Sequence, residues 1–118
     1  MNERTQHLIE RLLEQQLDGL LVSTSENRRY LSGFTGSAGF LLITPAQAML
    51  FTDSRYTQQA RDQSPDFEVV PAPRGWNWLI EALKGSRVHR LGFESENVTV
   101  ASYHRLTETM KGDRKSVV

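Results

Sequence analysis

The sequence predicts an α/β domain in which helices flank a mixed β-sheet. Segments with helical spacing of apolar residues alternate along the chain with short apolar segments that are typical of buried strands. A hairpin signal in the middle of the chain adds an antiparallel pair to a sheet that the alternation would otherwise make parallel. The length of 118 residues suits one domain, and no repeat, low-complexity tract or linker divides it.

The amino-terminal segment predicts an amphipathic helix followed by a buried strand. Asp18-Gly19 ends the helix, and Leu20–Val22 is wholly apolar, as in a strand covered on both faces. Ser23–Glu26 has the form of a capping box, which would open a second helix that ends at Gly33. The apolar face of the first helix is predicted to consist of Leu8, Ile9, Leu12, Leu13 and Leu17.

A glycine-rich loop, Gly33–Gly39, leads into the predicted hairpin. Strands at Phe40–Ile43 and Met49–Phe51 flank a turn at Thr44–Gln47. The loop glycines are spaced neither as in the dinucleotide-binding fingerprint nor as in the phosphate-binding P-loop. Tight backbone geometry, which glycine permits, is the favoured interpretation. The functional alternative is a loop that lets a ligand or another surface approach the backbone closely.

The second half of the chain continues the alternation of helices and strands. Asp53 or Ser54 caps a third helix that runs through Gln63, and Ser64-Pro65 ends it. The remaining predicted elements are a strand at Phe67–Val70, a helix at Gly75–Lys84, a strand at Leu91–Phe93 and a helix from about Val100 to Met110.

Two tryptophans lie in the predicted fourth helix. At about 100° per residue, Trp76 falls on the apolar face, whereas Trp78 points nearly the opposite way. A large aromatic side chain off the core face is either covered by a loop or part of an interface. Trp78 is therefore the candidate interface residue. The apolar face itself is predicted to consist of Trp76, Leu79, Ile80 and Leu83.

Charge and composition exclude several classes of protein. Lys+Arg and Asp+Glu both number 14, so the chain lacks the basic excess of a nucleic-acid binder. It contains no cysteine, which excludes disulfides and cysteine-ligated zinc. The apolar stretch Ala38–Ile43 is far too short to cross a membrane, and the polar amino terminus is unlike a signal peptide. We expect a cytoplasmic protein with no nucleic-acid partner and no membrane partner.

The chain offers no set of residues for catalysis. His104 and Glu108 are spaced to meet on a helix, but a zinc site needs at least one more convergent ligand. No nucleophile elbow is present, and no carboxylate pair stands out as an acid/base couple. We therefore expect neither a catalytic residue nor a metal or cofactor site in these 118 residues.

The segment Asp53–Tyr56 follows a strand and opens a helix. Sites in α/β folds often gather at such carboxyl ends of strands. Arg55 could present its planar guanidinium to a carboxylate of a ligand or partner. The alternative is an internal pair of Arg55 with Asp53 or with a loop carbonyl, and local reasoning leaves both open.

Two motifs in this order and spacing carry a family resemblance: Tyr30–Gly39 (YLSGFTGSAG) and Leu50–Tyr56 (LFTDSRY). With them the chain resembles, over nearly its whole length, the amino-terminal domain of the Xaa-Pro aminopeptidase, prolidase and creatinase family. The resemblance implies that residues 1–118 form a mixed sheet in a ribonuclease H-like arrangement, and that part of a final strand is missing. It also implies a non-catalytic domain that caps the active-site mouth and supports a homo-oligomer.

The resemblance further implies a carboxyl-terminal catalytic domain of the pita-bread fold, which is absent from this chain. In the peptidases that domain holds two divalent metal ions, manganese or cobalt, and cleaves peptides before proline. By motif position, Phe34, Asp53, Arg55 and Tyr56 are candidates for the face turned toward the catalytic domain or a partner subunit. The sequence of the glycine loop is more similar to that of Xaa-Pro peptidases than to that of creatinases. The alternatives are a creatinase-type amidinohydrolase and a metal-free interaction protein of the same family.

Overall fold

A computed structural model describes residues 2–72, 77–83, 88–94 and 116–117. The strands are β1 (Gly19–Val22), β2 (Phe40–Ile43), β3 (Ala48–Thr52), β4 (Glu68–Pro71), β5 (Arg90–Phe93) and β6 (Ser116–Val117). They form one sheet in the order β4-β3-β2-β1-β5-β6. Strand β2 is antiparallel to both neighbours, and the other pairs are parallel. The predicted mixed sheet is confirmed.

The described helices lie within the predicted helical segments, and the third of these begins with a 3₁₀ turn. They are α1 (Glu3–Glu14), α2 (Ser25–Ser32), a 3₁₀ turn (Ser54–Tyr56), α3 (Thr57–Gln63) and α4 (Asn77–Leu83). Asp53 caps the 3₁₀ turn, since its carboxylate accepts a hydrogen bond from the Arg55 amide. The helix predicted at Val100–Met110, and Trp76 in the predicted fourth helix, lie outside the described residues.

Both faces of the sheet carry a hydrophobic core, which explains the wholly apolar strands. Helices α1, α2 and α3 cover one face, and α4 covers the other. The first core includes Val22, Leu41, Ile43, Leu50 and Ala60. The second includes Leu21, Leu42, Phe51, Leu79 and Leu91. The alternation of side chains along each strand assigns neighbouring residues to opposite cores.

The predicted exposure of Trp78 is wrong. Its side chain is only 8% exposed, and its ring centroid lies 4.4 Å from that of Phe51 and 5.4 Å from that of Phe40. Within α4, the buried positions Trp78, Leu79 and Leu83 span an arc of about 140°, so the core-facing stripe includes Trp78. The apolar face predicted from the sequence included Leu79 and Leu83 but excluded Trp78.

Two finer predictions are also wrong. Leu13 was expected on the core face of α1, but it is 54% exposed. The capping box predicted at Ser23–Glu26 is wrong, because the N-cap of α2 is Thr24 and not Ser23, and the Thr24 side chain makes no capping hydrogen bond. Its hydroxyl instead donates to the Glu94 carboxylate at 2.9 Å. The predicted end of α2 at Gly33 is confirmed, since Gly33 has φ of 81°, where glycine is favoured.

Candidate functional site

The two motifs singled out in the sequence lie side by side in the structure. The hydroxyl oxygens of Ser37 and Tyr56 are 2.8 Å apart, and the Thr52 hydroxyl donates to the Ala38 carbonyl at 2.6 Å. We use the term loop surface for the exposed and half-buried residues of the loop 33–39, of Asp53–Tyr56 and of the adjoining side of α3. Strand β3 positions this surface, because it carries Thr52 and leads directly into Asp53.

Phe34 lies beneath the loop surface and does not line it. Its side chain is 1% exposed and belongs to the core on the α1–α3 face. Its ring meets that of Tyr56 edge-on, at a centroid distance of 6.4 Å. A Cβ atom on Gly36 would lie 2.1 Å from Phe34 Cζ, so this position requires glycine. Phe34 therefore supports the loop, and its predicted place on the outward face is wrong.

Asp53 and Arg55 form an ion pair at the edge of the loop surface. Arg55 Nε donates to Asp53 Oδ1 at 3.1 Å and Arg55 Nη2 donates to Asp53 Oδ2 at 3.3 Å. The hydrogen bond to Asp53 and its charge raise the pKa of Arg55. The side chains are 73% and 40% exposed for Arg55 and Asp53, respectively. Of the two alternatives for Arg55, this structure shows the internal pair.

A neutral polar network extends the loop surface onto α3. The Thr35 amide donates to Gln63 Oε1 at 2.9 Å, and Gln63 Nε2 donates to the Thr35 hydroxyl at 2.9 Å. Gln59 Nε2 donates to the same hydroxyl at 3.2 Å. Sequence analysis missed both glutamines; their spacing of four residues on a helix next to the second motif was the available signal.

Arg28 reaches the loop from below, and sequence analysis missed it as well. It lies on α2 with only 4% of its side chain exposed. Its Nη1 donates to the Gly39 carbonyl at 2.8 Å and its Nη2 to the Gly36 carbonyl at 2.9 Å. Burial lowers the pKa of Arg28, and the nearby charge of Glu26 partly offsets this effect. The side chain thus connects α2 to two carbonyls of the loop.

A second cluster, centred on Glu94, lies at the opposite end of α2. Glu94 Oε1 accepts hydrogen bonds from the amides of Ser23 and Thr24, and Oε2 accepts from the Thr24 hydroxyl and the Asn27 side chain. Burial, the largest single influence, raises the pKa of Glu94, but the hydrogen bonds together lower it below its usual value. Glu94 also lines a groove of about 360 Å³ between α1 and α2, together with Arg4, His7 and Arg11.

The described residues contain no group of three or more histidine, aspartate or glutamate side chains that could hold a metal ion. Within the same part of the chain, no helix is long and apolar enough to cross a membrane. The loop surface presents hydroxyl groups and an ion pair. Such groups can bind and position a partner.

The comparison with known families decides the identity of the domain. A sequence profile described as Creatinase/Prolidase N-terminal domain matches residues 4–118. The chain belongs to this family. Its residues 30–39 and 50–56, which carry the resemblance, lie within the matched range.

Curated relatives of this family member are longer proteins. An uncharacterized peptidase of Bacillus subtilis (strain 168), YqhT, is 37% identical over 90 residues, which cover 74% of this chain and 25% of that protein. A probable Xaa-Pro aminopeptidase P of Talaromyces stipitatus is 32% identical over 136 residues, which cover 98% of this chain and 20% of that protein. The chain thus spans a quarter or less of these relatives.

Solved structures show the same fold. The N-terminal domain of the cytoplasmic peptidase PepQ from Mycobacterium tuberculosis H37Rv is 38% identical, with a TM-score of 0.90 over 100% of this chain and 92% of that chain. An Xaa-Pro dipeptidase from Bacillus anthracis is 30% identical, with a TM-score of 0.87 over 98% of this chain and 32% of that chain. The predicted family and fold class are confirmed.

Proposed function

We propose that this chain is the non-catalytic amino-terminal domain of a cytoplasmic, metal-dependent Xaa-Pro peptidase. In this role it caps the active site of its own carboxyl-terminal catalytic domain and supports a homo-oligomer. The observation that carries the proposal is the convergence of both family motifs on one exposed polar surface, which can position a partner. Relatives named as Xaa-Pro peptidases, several times longer than this chain, support the peptidase assignment.

The loop surface is the part of the domain that we assign to this role. Asp53, Arg55 and Tyr56 present charged and hydroxyl groups there, while Phe34 holds the loop from the core side. Exposed ion pairs contribute little stability, so Arg55 can exchange Asp53 for another carboxylate at small cost. Its planar fork suits a carboxylate of the catalytic domain, of a partner subunit or of a peptide substrate.

The catalytic chemistry belongs to the part of the protein beyond this chain. Two divalent metal ions, manganese or cobalt, would supply the activated water there and stabilise the developing negative charge. We assign none of their ligands to the described residues, which contain no suitable cluster. The contribution of this domain is positional: it binds, orients and limits access to proline-containing peptides.

The test compares the 118-residue chain with the longer protein encoded by its gene. We expect the chain alone to leave an Xaa-Pro peptide intact with added manganese, and the longer protein to hydrolyse it until a chelator is added. In the longer protein, Arg55→Ala should lower kcat/KM roughly 10- to 150-fold without lowering the melting temperature. Arg55→Lys should recover little, because an ammonium group cannot reproduce the fork.

Arg61 provides the matched control, since it is an exposed arginine on α3 outside the motifs. Arg61→Ala should leave kcat/KM unchanged. Turnover by the 118-residue chain, or hydrolysis of creatine in place of Xaa-Pro peptides by the longer protein, would contradict the proposal. An Arg55→Ala protein that melts early but turns over normally would assign Arg55 to structure.

A further inference from the structure

We propose that Arg28 is the positioning residue of the loop surface, because it fixes the glycine-rich loop 33–39 from beneath. Arg28 lies outside the predicted candidate residues, and its side chain is buried beneath the loop. Its role concerns the conformation of the loop, and only the consequence for activity rests on the proposed function.

The geometry favours this role because the guanidinium spans two points of the loop. Its two terminal nitrogens reach the carbonyls of Gly36 and Gly39, at 2.9 and 2.8 Å. These carbonyls belong to residues three positions apart, so holding both fixes the intervening backbone that carries Ser37. A planar fork can donate to two acceptors at once, whereas a lysine ammonium provides a single charged point.

The energetics also indicate a specific task for this side chain. Arg28 is 96% removed from solvent, given its 4% exposure, and a buried cation is costly without compensating contacts. Among the described residues, its charge is met by two backbone carbonyls and by the face of Phe34, 5.9 Å away, and not by a hydrogen-bonded carboxylate. Its Nε is buried without a hydrogen-bond partner in the same part of the chain.

Other contacts hold the loop at its sides. The Thr52 hydroxyl binds the Ala38 carbonyl, and Tyr56 contacts Ser37. The Phe34 amide donates to the Ser32 hydroxyl at 3.1 Å. None of these contacts involves the carbonyls of Gly36 and Gly39, which accept hydrogen bonds from Arg28. Removal of the fork would therefore leave two buried or half-buried carbonyls unpaired and allow the loop to open locally.

The experiment measures residue-resolved amide hydrogen exchange by NMR in the 118-residue chain and in Arg28→Lys and Arg28→Met variants. The N-terminal domain of PepQ has been solved as a separate structure, and the match covers 92% of that chain. This supports the use of the isolated chain. We expect the amides of Phe34 and Thr35 to exchange about tenfold faster or more in both variants. The amides of Leu21 and Leu41, in the sheet, should stay within about twofold.

Arg29→Lys is the matched control, because Arg29 is the exposed neighbour of Arg28 on α2. It should leave every amide unchanged. Retained protection of the loop amides in both Arg28 variants would overturn the inference. So would an equal acceleration of loop and strand amides, or failure of both variants to fold, since each would assign Arg28 to global stability.

A kinetic measurement on the longer protein separates this inference from the proposed function. With a loosened loop, Arg28→Lys should raise KM for an Xaa-Pro peptide and change kcat little. Faster loop exchange together with unchanged kinetics would support Arg28 as the positioning residue and contradict the role of the loop surface in the peptidase. Unchanged exchange would overturn the inference whatever the kinetics show.

Discussion

Replacing Trp78 by alanine is expected to destabilise this domain strongly. The side chain is 8% exposed, and its ring packs on Phe51 and Phe40 at centroid distances of 4.4 and 5.4 Å. Truncation removes these contacts and leaves a cavity between α4 and the sheet. Such a change costs about 3–5 kcal/mol in a packed core.

The expected loss is large compared with the stability of a domain of this size. Folded domains are stable by only about 5–15 kcal/mol. With an unfolding entropy of about 2.1 cal/mol/K per residue, a chain of 118 residues has about 0.25 kcal/mol/K in total. The substitution should therefore lower the melting temperature by about 12–20 °C.

The assay is thermal unfolding followed by far-ultraviolet circular dichroism, because tryptophan fluorescence changes with the substitution itself. Leu13→Ala is the control: Leu13 is a large apolar residue at 54% exposure, and its truncation should cost at most about 0.5 kcal/mol. The melting temperature of Trp78→Phe should lie between those of Trp78→Ala and Leu13→Ala. If Trp78→Ala melted within about 3 °C of the parent chain, the core position of Trp78 and the reasoning from its contacts would be refuted.

Two further predictions concern the loop and the Glu94 cluster. Gly36→Ala should cost about 1–3 kcal/mol in urea unfolding, because its Cβ would lie 2.1 Å from Phe34 Cζ. Glu94→Gln should cost about 1.5 kcal/mol at neutral pH, since charged acceptors make the stronger hydrogen bonds. The pKa of Glu94 is lowered in the folded state, so its contribution is complete above the unfolded carboxyl value of about 4.3 and is lost as the pH falls through the folded value.

Controls show whether the stability changes are specific to Gly36 and Glu94. Ser37→Ala removes one exposed hydrogen bond next to Gly36 and should lower the urea midpoint much less than Gly36→Ala does. For Glu94→Gln, the control is the parent chain followed over the same range of pH. An unaltered midpoint for Gly36→Ala, or parallel pH curves for Glu94→Gln and the parent chain, would contradict the respective prediction.

The positions of strands β1 to β5 were predictable from the sequence, because each is a short, mostly apolar segment near turn residues, but the sequence predicted only the hairpin among their pairings. The hairpin β2–β3 and the position of Asp53 as a cap follow from local patterns that need no distant partner. The exposed sides of short helices were less predictable. Helix α4 has seven residues, and its apolar residues fit more than one stripe, so Trp78 was placed on the wrong side.

The site was predictable only where a motif marked it. Asp53, Arg55 and Tyr56 were predicted from the end of a strand and from the family resemblance, but the sequence could not choose between an internal and an external partner for Arg55. Arg28 carried no local signal, since Arg28 and Arg29 are adjacent, identical residues on one helix. Tertiary packing alone makes the first buried and the second exposed.

Glu94 shows how a distant residue can replace a local one. The segment Ser23–Glu26 offers a capping box, yet the carboxylate of Glu94, 70 residues beyond Thr24, accepts the amide hydrogens of Ser23 and Thr24. This arrangement connects strand β5 to the start of α2, and Arg28 on α2 connects the same helix to the glycine loop. Long-range hydrogen bonds to Glu94 thus hold the start of helix α2, and Arg28 on the same helix holds the loop. In the proposed function, a loop held in this way loses little conformational entropy when a partner docks, which favours binding.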